Sequence, residues 1–380
     1  MTDSVVFAGF GGAVPAHKVT NAQLSGLRGL ATERIEASED YQALRCLDPG
    51  MTPARYFIER KMGFCERYHV APFPPDATQR PKTTTVDLAA EAMARALADA
   101  GVEAVRVDAW VMSTVSGPVQ APDALTLAKR RLTGDASQAM AVPLHAGCGG
   151  FNLGLQLGRQ LLRSDPAMRH VLVAHAETMS RFLRREPNLV PFATFGDGAA
   201  CVVLARGRSG RAEGLLHVVN RQDPAFLDLL GVSADWELFM DAKAVKERAL
   251  RDMGRACEET LAAVGVSRAE VDLFVPHQTG NAIALELARQ LEIESDRVYL
   301  GAQARYGNVS GATVPMALWT LAQERRLRPG MNILSATAGV GGLYGAFFYR
   351  VPERAEAGDA VAEGAPEAGS GRAAGALRAD

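Results

Sequence analysis

Apolar residues are arranged along this chain in two ways. Short continuous runs fall at residues 5–8, 107–112, 171–174, 200–204, 271–275 and 332–336. Runs this short and this uniformly apolar predict β-strands covered on both faces, lying between helical layers. Elsewhere, apolar positions recur at helical spacing. Leu153, Leu157 and Leu161 are four apart, with Leu155 and Leu162 alongside, which predicts a helix opening just after Gly150. A second amphipathic stretch, residues 90–100, stops at Gly101-Val102. Strands and helices alternate, and the chain reads as an α/β protein.

The pattern occurs twice. A helix, Gly101-Val102, a four-residue spacer, Val107-Asp108 and a strand are followed much later by a helix, Gly265-Val266, a spacer, Val271-Asp272 and a strand. The paired glycines and the paired aspartates are each 164 positions apart. The same step from Cys148 reaches Ala312, at the start of another apolar helical stretch. These matches predict a duplicated α/β unit, its first half at residues 1–205 and its second at 206–350. Residues 351–380 are Ala, Gly, Glu, Pro and Arg without periodicity, and predict a disordered tail.

Composition narrows the function classes. With 48% hydrophobic and 22% charged residues in 380, the chain is globular, and a net charge of −2 gives no reason to expect nucleic acid as partner. No apolar run approaches the roughly 20 residues that span a bilayer. The start of the chain carries Asp3 and no basic segment, so no secretory signal is expected. Five scattered cysteines without CxxC spacing argue against a disulfide framework or a zinc site. A reducing, cytoplasmic setting without a metal is the expectation.

One of those cysteines is placed for chemistry. Cys148 lies in His145-Ala146-Gly147-Cys148-Gly149-Gly150-Phe151, at the mouth of the predicted helix. The positive end of a helix dipole favours a thiolate, and small neighbours leave the sulfur approachable. His277 follows a predicted strand in Val275-Pro276-His277-Gln278, where open α/β sheets present ligand-facing residues. Asn308, in Tyr306-Gly307-Asn308-Val309-Ser310, precedes a helix, and taken alone reads more readily as a helix cap or turn residue than as a catalytic one. The turn Gly339-Val340-Gly341-Gly342 is a candidate source of a backbone N–H for an oxyanion. Gly9-Phe10-Gly11-Gly12 fails as a dinucleotide loop, because Val14 stands at the third glycine position and Pro15 follows. Gly196-Asp197-Gly198 reads as a tight turn feeding a strand.

Together these motifs resemble β-ketoacyl-acyl-carrier-protein synthase III, of the thiolase superfamily. Cys148 in Gly-Cys-Gly-Gly-Phe, His277 in Val-Pro-His-Gln and Asn308 in Tyr-Gly-Asn-Val-Ser match that family's Cys-His-Asn triad, and Phe195-Gly196-Asp197-Gly198 and Met62-Gly63-Phe64 match further motifs. A thiolase would need a second catalytic cysteine near the C-terminus, and none follows Cys257. The resemblance implies a duplicated five-layer α/β/α/β/α fold and a homodimer. It implies acyl transfer to Cys148, an oxyanion held by the N–H groups of Cys148 and Gly341, and decarboxylative condensation with a malonyl thioester aided by His277 and Asn308. Coenzyme A or carrier-protein phosphopantetheine thioesters would be the substrates, with no separate cofactor. Phe57, Lys61, Phe151 and Asn281 are the expected substrate-binding residues. Phe57 stands where the family often has tryptophan, Lys61 where it usually has arginine, and Ala282 where it has arginine. An alternative is transfer of the Cys148-bound acyl group to an alcohol or amine, with His277 as base. A third is a non-catalytic subunit shaping a partner synthase.

Overall fold

The structure, a computed structural model, describes residues 4–74, 81–183, 188–207, 212–233 and 238–353. The expected disordered tail therefore lies, from residue 354 on, outside the described residues. The strands in chain order are β1 (Val5–Ala13), β2 (His17–Thr20), β3 (Glu66–His69), β4 (Ala109–Ser113), β5 (Met140–Leu144), β6 (His170–Thr178), β7 (Asp197–Arg206), β8 (Gly214–Gln222), β9 (Leu230–Val232), β10 (Leu238–Met240), β11 (Leu273–Pro276), β12 (Asn332–Ala338) and β13 (Leu343–Arg350). All six apolar runs read from the sequence lie in strands or reach into one. Strands β2, β3 and β8 escape that reading because polar residues interrupt their apolar ones, and β5, β9, β10 and β13 lie outside the six runs as well.

Two sheets form the framework. One has the order β1-β7-β6-β4-β5 and the other β11-β12-β13-β8. Read from β8, the second sheet repeats the first in its directions. β8 and β13 are antiparallel, as are β1 and β7; β13 and β12 are antiparallel, as are β7 and β6; β12 and β11 are parallel, as are β6 and β4. Val298 bridges Phe274 in parallel, at the place β5 holds beside β4. The repeat extends to single hydrogen bonds. Gly101 and Gly265 both end their helices in the left-handed region, at φ 65°. The Asp108 N–H donates to the His170 carbonyl and the Asp272 N–H to the Asn332 carbonyl. In return the Asp108 carboxylate accepts the His170 N–H and the Asp272 carboxylate the Asn332 N–H.

The core shows five layers. Helices Gly150–Ser164 and Thr313–Gln323 lie between the sheets, where Phe151, Leu155, Leu162, Val314, Leu318 and Leu321 pack against Val173, Val202, Ile333 and Phe347. Helices Thr85–Ala100 and Ala124–Thr133 cover the outer face of the first sheet. Helices Ala242–Val264 and Asn281–Gln290 cover the outer face of the second. The glycines that imitate a nucleotide loop belong to β1. A Cβ on Gly11 would come 2.1 Å from the Ala92 carbonyl oxygen, so glycine there lets the outer helix approach closely. The stretch between Leu30 and Tyr56 folds as short helices around a small core of Tyr41, Met51 and Tyr56.

Candidate active site

The two central helices place the candidate chemistry. Gly150–Ser164 opens directly after Cys148, and the Gly150 N–H donates to the Gly147 carbonyl to close the turn that carries the sulfur. Thr313–Gln323 opens after a one-turn 3₁₀ segment, Ser310–Ala312, that follows Asn308. His277 comes directly after β11 and Val340 shortly after β12, at the C-terminal ends of neighbouring parallel strands. Cys148, His277, Asn308, Ser310 and Val340 all line one cavity of about 570 Å³.

The cysteine is enclosed. Its side chain leaves the residue 8% exposed, and its Sγ lies 3.8 Å from the Ser310 hydroxyl. A Cβ on Gly339 would come within 2.4 Å of the Cys148 Cβ and 2.6 Å of Sγ, so the chain after β12 runs hard against the Cys148 side chain. Burial pushes the thiol above its ordinary value, while the Ser310 hydroxyl and the backbone N–H groups of Val340 and Cys148 pull it back. This differs from the expectation of a helix-lowered thiolate. Desolvation of the sulfur outweighs the hydrogen bonds around it, which favours the neutral thiol over the thiolate.

His277 is buried and neutral. Burial, with the nearby His175 imidazole adding to it, lowers its pKa to about 3. Nδ1 lies 2.6 Å from the Thr313 hydroxyl. Nε2 has no hydrogen-bond partner among the described residues. Asn308 is fixed by its acceptor end, since its Oδ1 accepts the Ser310 N–H at 2.9 Å. That leaves the Nδ2 donors as the free end of the amide. Ser310 takes a positive φ of 51° to make this contact, uncommon for a residue with a side chain.

The turn after β12 differs by one residue from the expected arrangement. The N–H brought to the sulfur is that of Val340. The Gly341 carbonyl instead accepts from Gln222 Nε2, and the cavity is lined by Val340 and not by Gly341. Gly341 takes φ 76°, and this left-handed step carries the turn away from the cysteine. The four expected substrate-binding residues lie outside the cavity lining. Phe151 is fully buried in the core between the sheets, because its position in the first turn of the helix faces the strands. The Asn281 Oδ1 accepts from Gln303 Nε2 and packs under Gly63. Phe57 is half-buried on the π-helical turn Phe57–Met62. Lys61 is exposed, 3.9 Å from Asp40 and over the Tyr56 ring.

The walls that do line the cavity come from segments that sequence motifs do not mark. On one side they are Leu230, Val232, Leu238, Val245, Met253 and Ile283. On the other are Val115, Met179, Val190 and Phe195. None of the lining residues is Asp, Glu, Lys or Arg. Behind the site, fully buried His175 meets Glu177 at 3.0 Å, and Glu177 also accepts from the Ser116 hydroxyl and the Val115 N–H. Apolar spacing alone could not reveal this pair, since β6 is buried on both faces and polar residues inside it are rare.

A duplicated α/β/α/β/α sandwich with a cysteine at the mouth of one central helix, and a histidine and asparagine converging from the second half, defines a condensing enzyme of the thiolase superfamily. Comparison with known proteins supports the same assignment. Residues 143–224 match the family model for 3-oxoacyl-[acyl-carrier-protein (ACP)] synthase III, and residues 261–351 match the model for its C-terminal part. The chain is 33% identical to β-ketoacyl-[acyl-carrier-protein] synthase III of Alkalilimnicola ehrlichii, over 77% of this chain and 90% of that protein. It is 32% identical to the corresponding protein of Bordetella petrii, over 91% and 98%. The crystal structure of 3-oxoacyl-(acyl carrier protein) synthase III from Pseudomonas aeruginosa PAO1 superposes with a TM-score of 0.76 at 28% identity, covering 93% of this chain and all of that one. The chain belongs to the β-ketoacyl-[acyl-carrier-protein] synthase III family and is a ketosynthase-type acyltransferase.

Proposed function

We propose that this chain joins an acyl group, held on Cys148, to a malonyl thioester. One observation carries the reading: Cys148, His277 and Asn308 open into one cavity that, among the described residues, no carboxylate, ammonium or guanidinium lines. In the first half-reaction the sulfur attacks the thioester carbonyl. The thiol proton leaves with the departing thiol of coenzyme A or phosphopantetheine, and the acyl group stays on Cys148. The N–H groups of Cys148 and Val340 are the candidate donors to the oxyanion, each worth on the order of 3 kcal/mol.

In the second half-reaction the malonyl carboxylate enters a cavity whose lining, among the described residues, includes no lysine or arginine to pair with it. Its carbon–carbon bond breaks, carbon dioxide leaves, and the electron pair moves onto the thioester as an enolate. An Nε2–H on His277 and the Asn308 Nδ2–H groups would donate to that enolate oxygen. The nucleophilic carbon then attacks the acyl-cysteine, and collapse expels the thiolate and releases a β-ketoacyl thioester. None of these steps calls on a metal or redox cofactor.

Two further properties belong to this reading. β5 ends the first sheet with an open edge, Met140 on it is 44% exposed, and Val119 nearby is 49% exposed. Such an edge is a template for the same strand of a second copy, which supports a homodimer with one continuous sheet. All five cysteines are free, which supports a reducing, cytoplasmic setting. The carrier protein named in the relatives' descriptions is the proposed macromolecular partner.

The test is intact-protein mass spectrometry with a panel of acyl thioesters, combined with a malonyl decarboxylation assay. Cys148→Ala should gain no acyl mass. His277→Ala should still be acylated but lose decarboxylation. A β-ketoacyl product is expected from the unmodified protein. Acyl esters or amides formed without malonyl thioester would replace condensation with transfer to a heteroatom.

A further inference from the structure

We infer that Thr313 is a positioning residue that sets the tautomer of His277, and so makes Nε2 a hydrogen-bond donor toward the cavity. This inference rests on the proposed role of His277. That role needs a proton on Nε2, whereas a neutral imidazole carries only one proton and can place it on either nitrogen. The surroundings must decide.

Thr313 is the first residue of the central helix Thr313–Gln323 and is buried. Its Oγ1 has two partners among the described residues. One is the Gln278 backbone N–H, a donor only, at 3.4 Å. The other is His277 Nδ1, at 2.6 Å. The hydroxyl hydrogen therefore has one acceptor within reach, Nδ1. If Nδ1 carried the proton, the Thr313 oxygen would face two donors and its own O–H would be buried without an acceptor. A buried unsatisfied donor costs about 1–3 kcal/mol. The other arrangement satisfies every group: the Gln278 N–H donates to Oγ1, the Thr313 O–H donates to Nδ1, and Nε2 keeps its hydrogen. Nε2 then has no partner in the substrate-free protein. It stands ready for an oxygen that arrives with the substrate.

The nearby His175 imidazole disfavours a second proton on His277, so one proton is shared between two nitrogens. No carboxylate accepts from Nδ1, so nothing pulls the proton to that side. Thr313 thus does through one hydroxyl what a carboxylate does for histidine in the opposite sense: a carboxylate fixes the proton on the far nitrogen from the substrate, and a hydroxyl donor fixes it on the near one.

Thr313→Val keeps the shape and removes the hydroxyl, and Thr313→Ser restores it. Long-range proton–nitrogen correlation spectra of ¹⁵N-labelled protein read the tautomer, with His277→Gln identifying the His277 signals. The expected result is an Nε2-protonated neutral ring in the unmodified protein and in Thr313→Ser, and a shift toward Nδ1 protonation in Thr313→Val. Malonyl decarboxylation should fall on the order of 10- to 100-fold in Thr313→Val and recover in Thr313→Ser. Acylation of Cys148 should stay within about twofold, since that step does not use His277. An Nδ1-protonated ring in the unmodified protein overturns the inference. So does a Thr313→Val protein that keeps both tautomer and decarboxylation. His277→Ala separates the two levels: decarboxylation that survives there refutes the role of His277 itself, whatever Thr313 does.

Discussion

A histidine buried neutral makes this fold acid-sensitive by a calculable amount. The His277 imidazole has a pKa of about 3 in the folded protein, against an ordinary 6.5. Between these values the unfolded chain binds a proton that the folded chain refuses. Stability therefore rises with pH across that window, and it is fully present above about pH 6.5. At pH 5 nearly every unfolded chain carries the proton and nearly every folded chain lacks it. The difference removes about 2 kcal/mol relative to pH 8. For a protein whose net stability is on the order of 10 kcal/mol, that is a measurable fraction. The perturbation is His277→Gln, which removes the titrating group and keeps a polar side chain. The assay is urea unfolding of both proteins at pH 8 and pH 5, at one protein concentration. The unmodified protein should lose about 2 kcal/mol more than the variant over this interval. Any pH-independent effect of the substitution cancels in the difference. Equal losses would refute the reasoning, because they would mean that the imidazole is reached by water and protonates in place.

Two other outcomes test neighbouring parts of the site. Because burial raises the Cys148 thiol, its alkylation by iodoacetamide in substrate-free protein should keep accelerating above pH 8.5, the ordinary thiol value. A rate that is flat from pH 6 upward would show a thiolate and restore the helix-dipole expectation. If the open edge of β5 pairs with a second copy, sedimentation equilibrium should give twice the chain mass; a single chain mass at micromolar concentration would leave that edge unpartnered.

The doubled architecture was legible because it leaves marks that need no partner. A glycine is favoured where a helix ends in the left-handed region, and an aspartate caps the next strand, at Gly101 and Asp108 and again at Gly265 and Asp272. That Cys148, His277 and Asn308 would share one cavity was legible for the same reason, each lying in a local motif at the mouth of a helix or the end of a strand. The sulfur's surroundings were not, because Gly339, whose chain presses against Cys148, and Ser310, whose hydroxyl contacts the sulfur, lie far away in the chain. That the N–H beside the sulfur is Val340's was not legible either, because backbone direction within a glycine-rich turn depends on torsion angles that spacing does not encode.

The amino-acid sequence by itself determined the alternation of strands and helices, their duplication, and the choice of Cys148, His277 and Asn308 as candidate site residues. These follow from periodicity and from residues whose local conformation is self-evident. Only the tertiary structure decided what the cavity is made of, why Phe151 and Asn281 face away from it, and that Thr313 touches His277. Walls and hydrogen-bond partners are drawn from segments that are separate in the chain, His277 and Thr313 being 36 residues apart, and their meeting is fixed by how the layers pack and not by any short pattern.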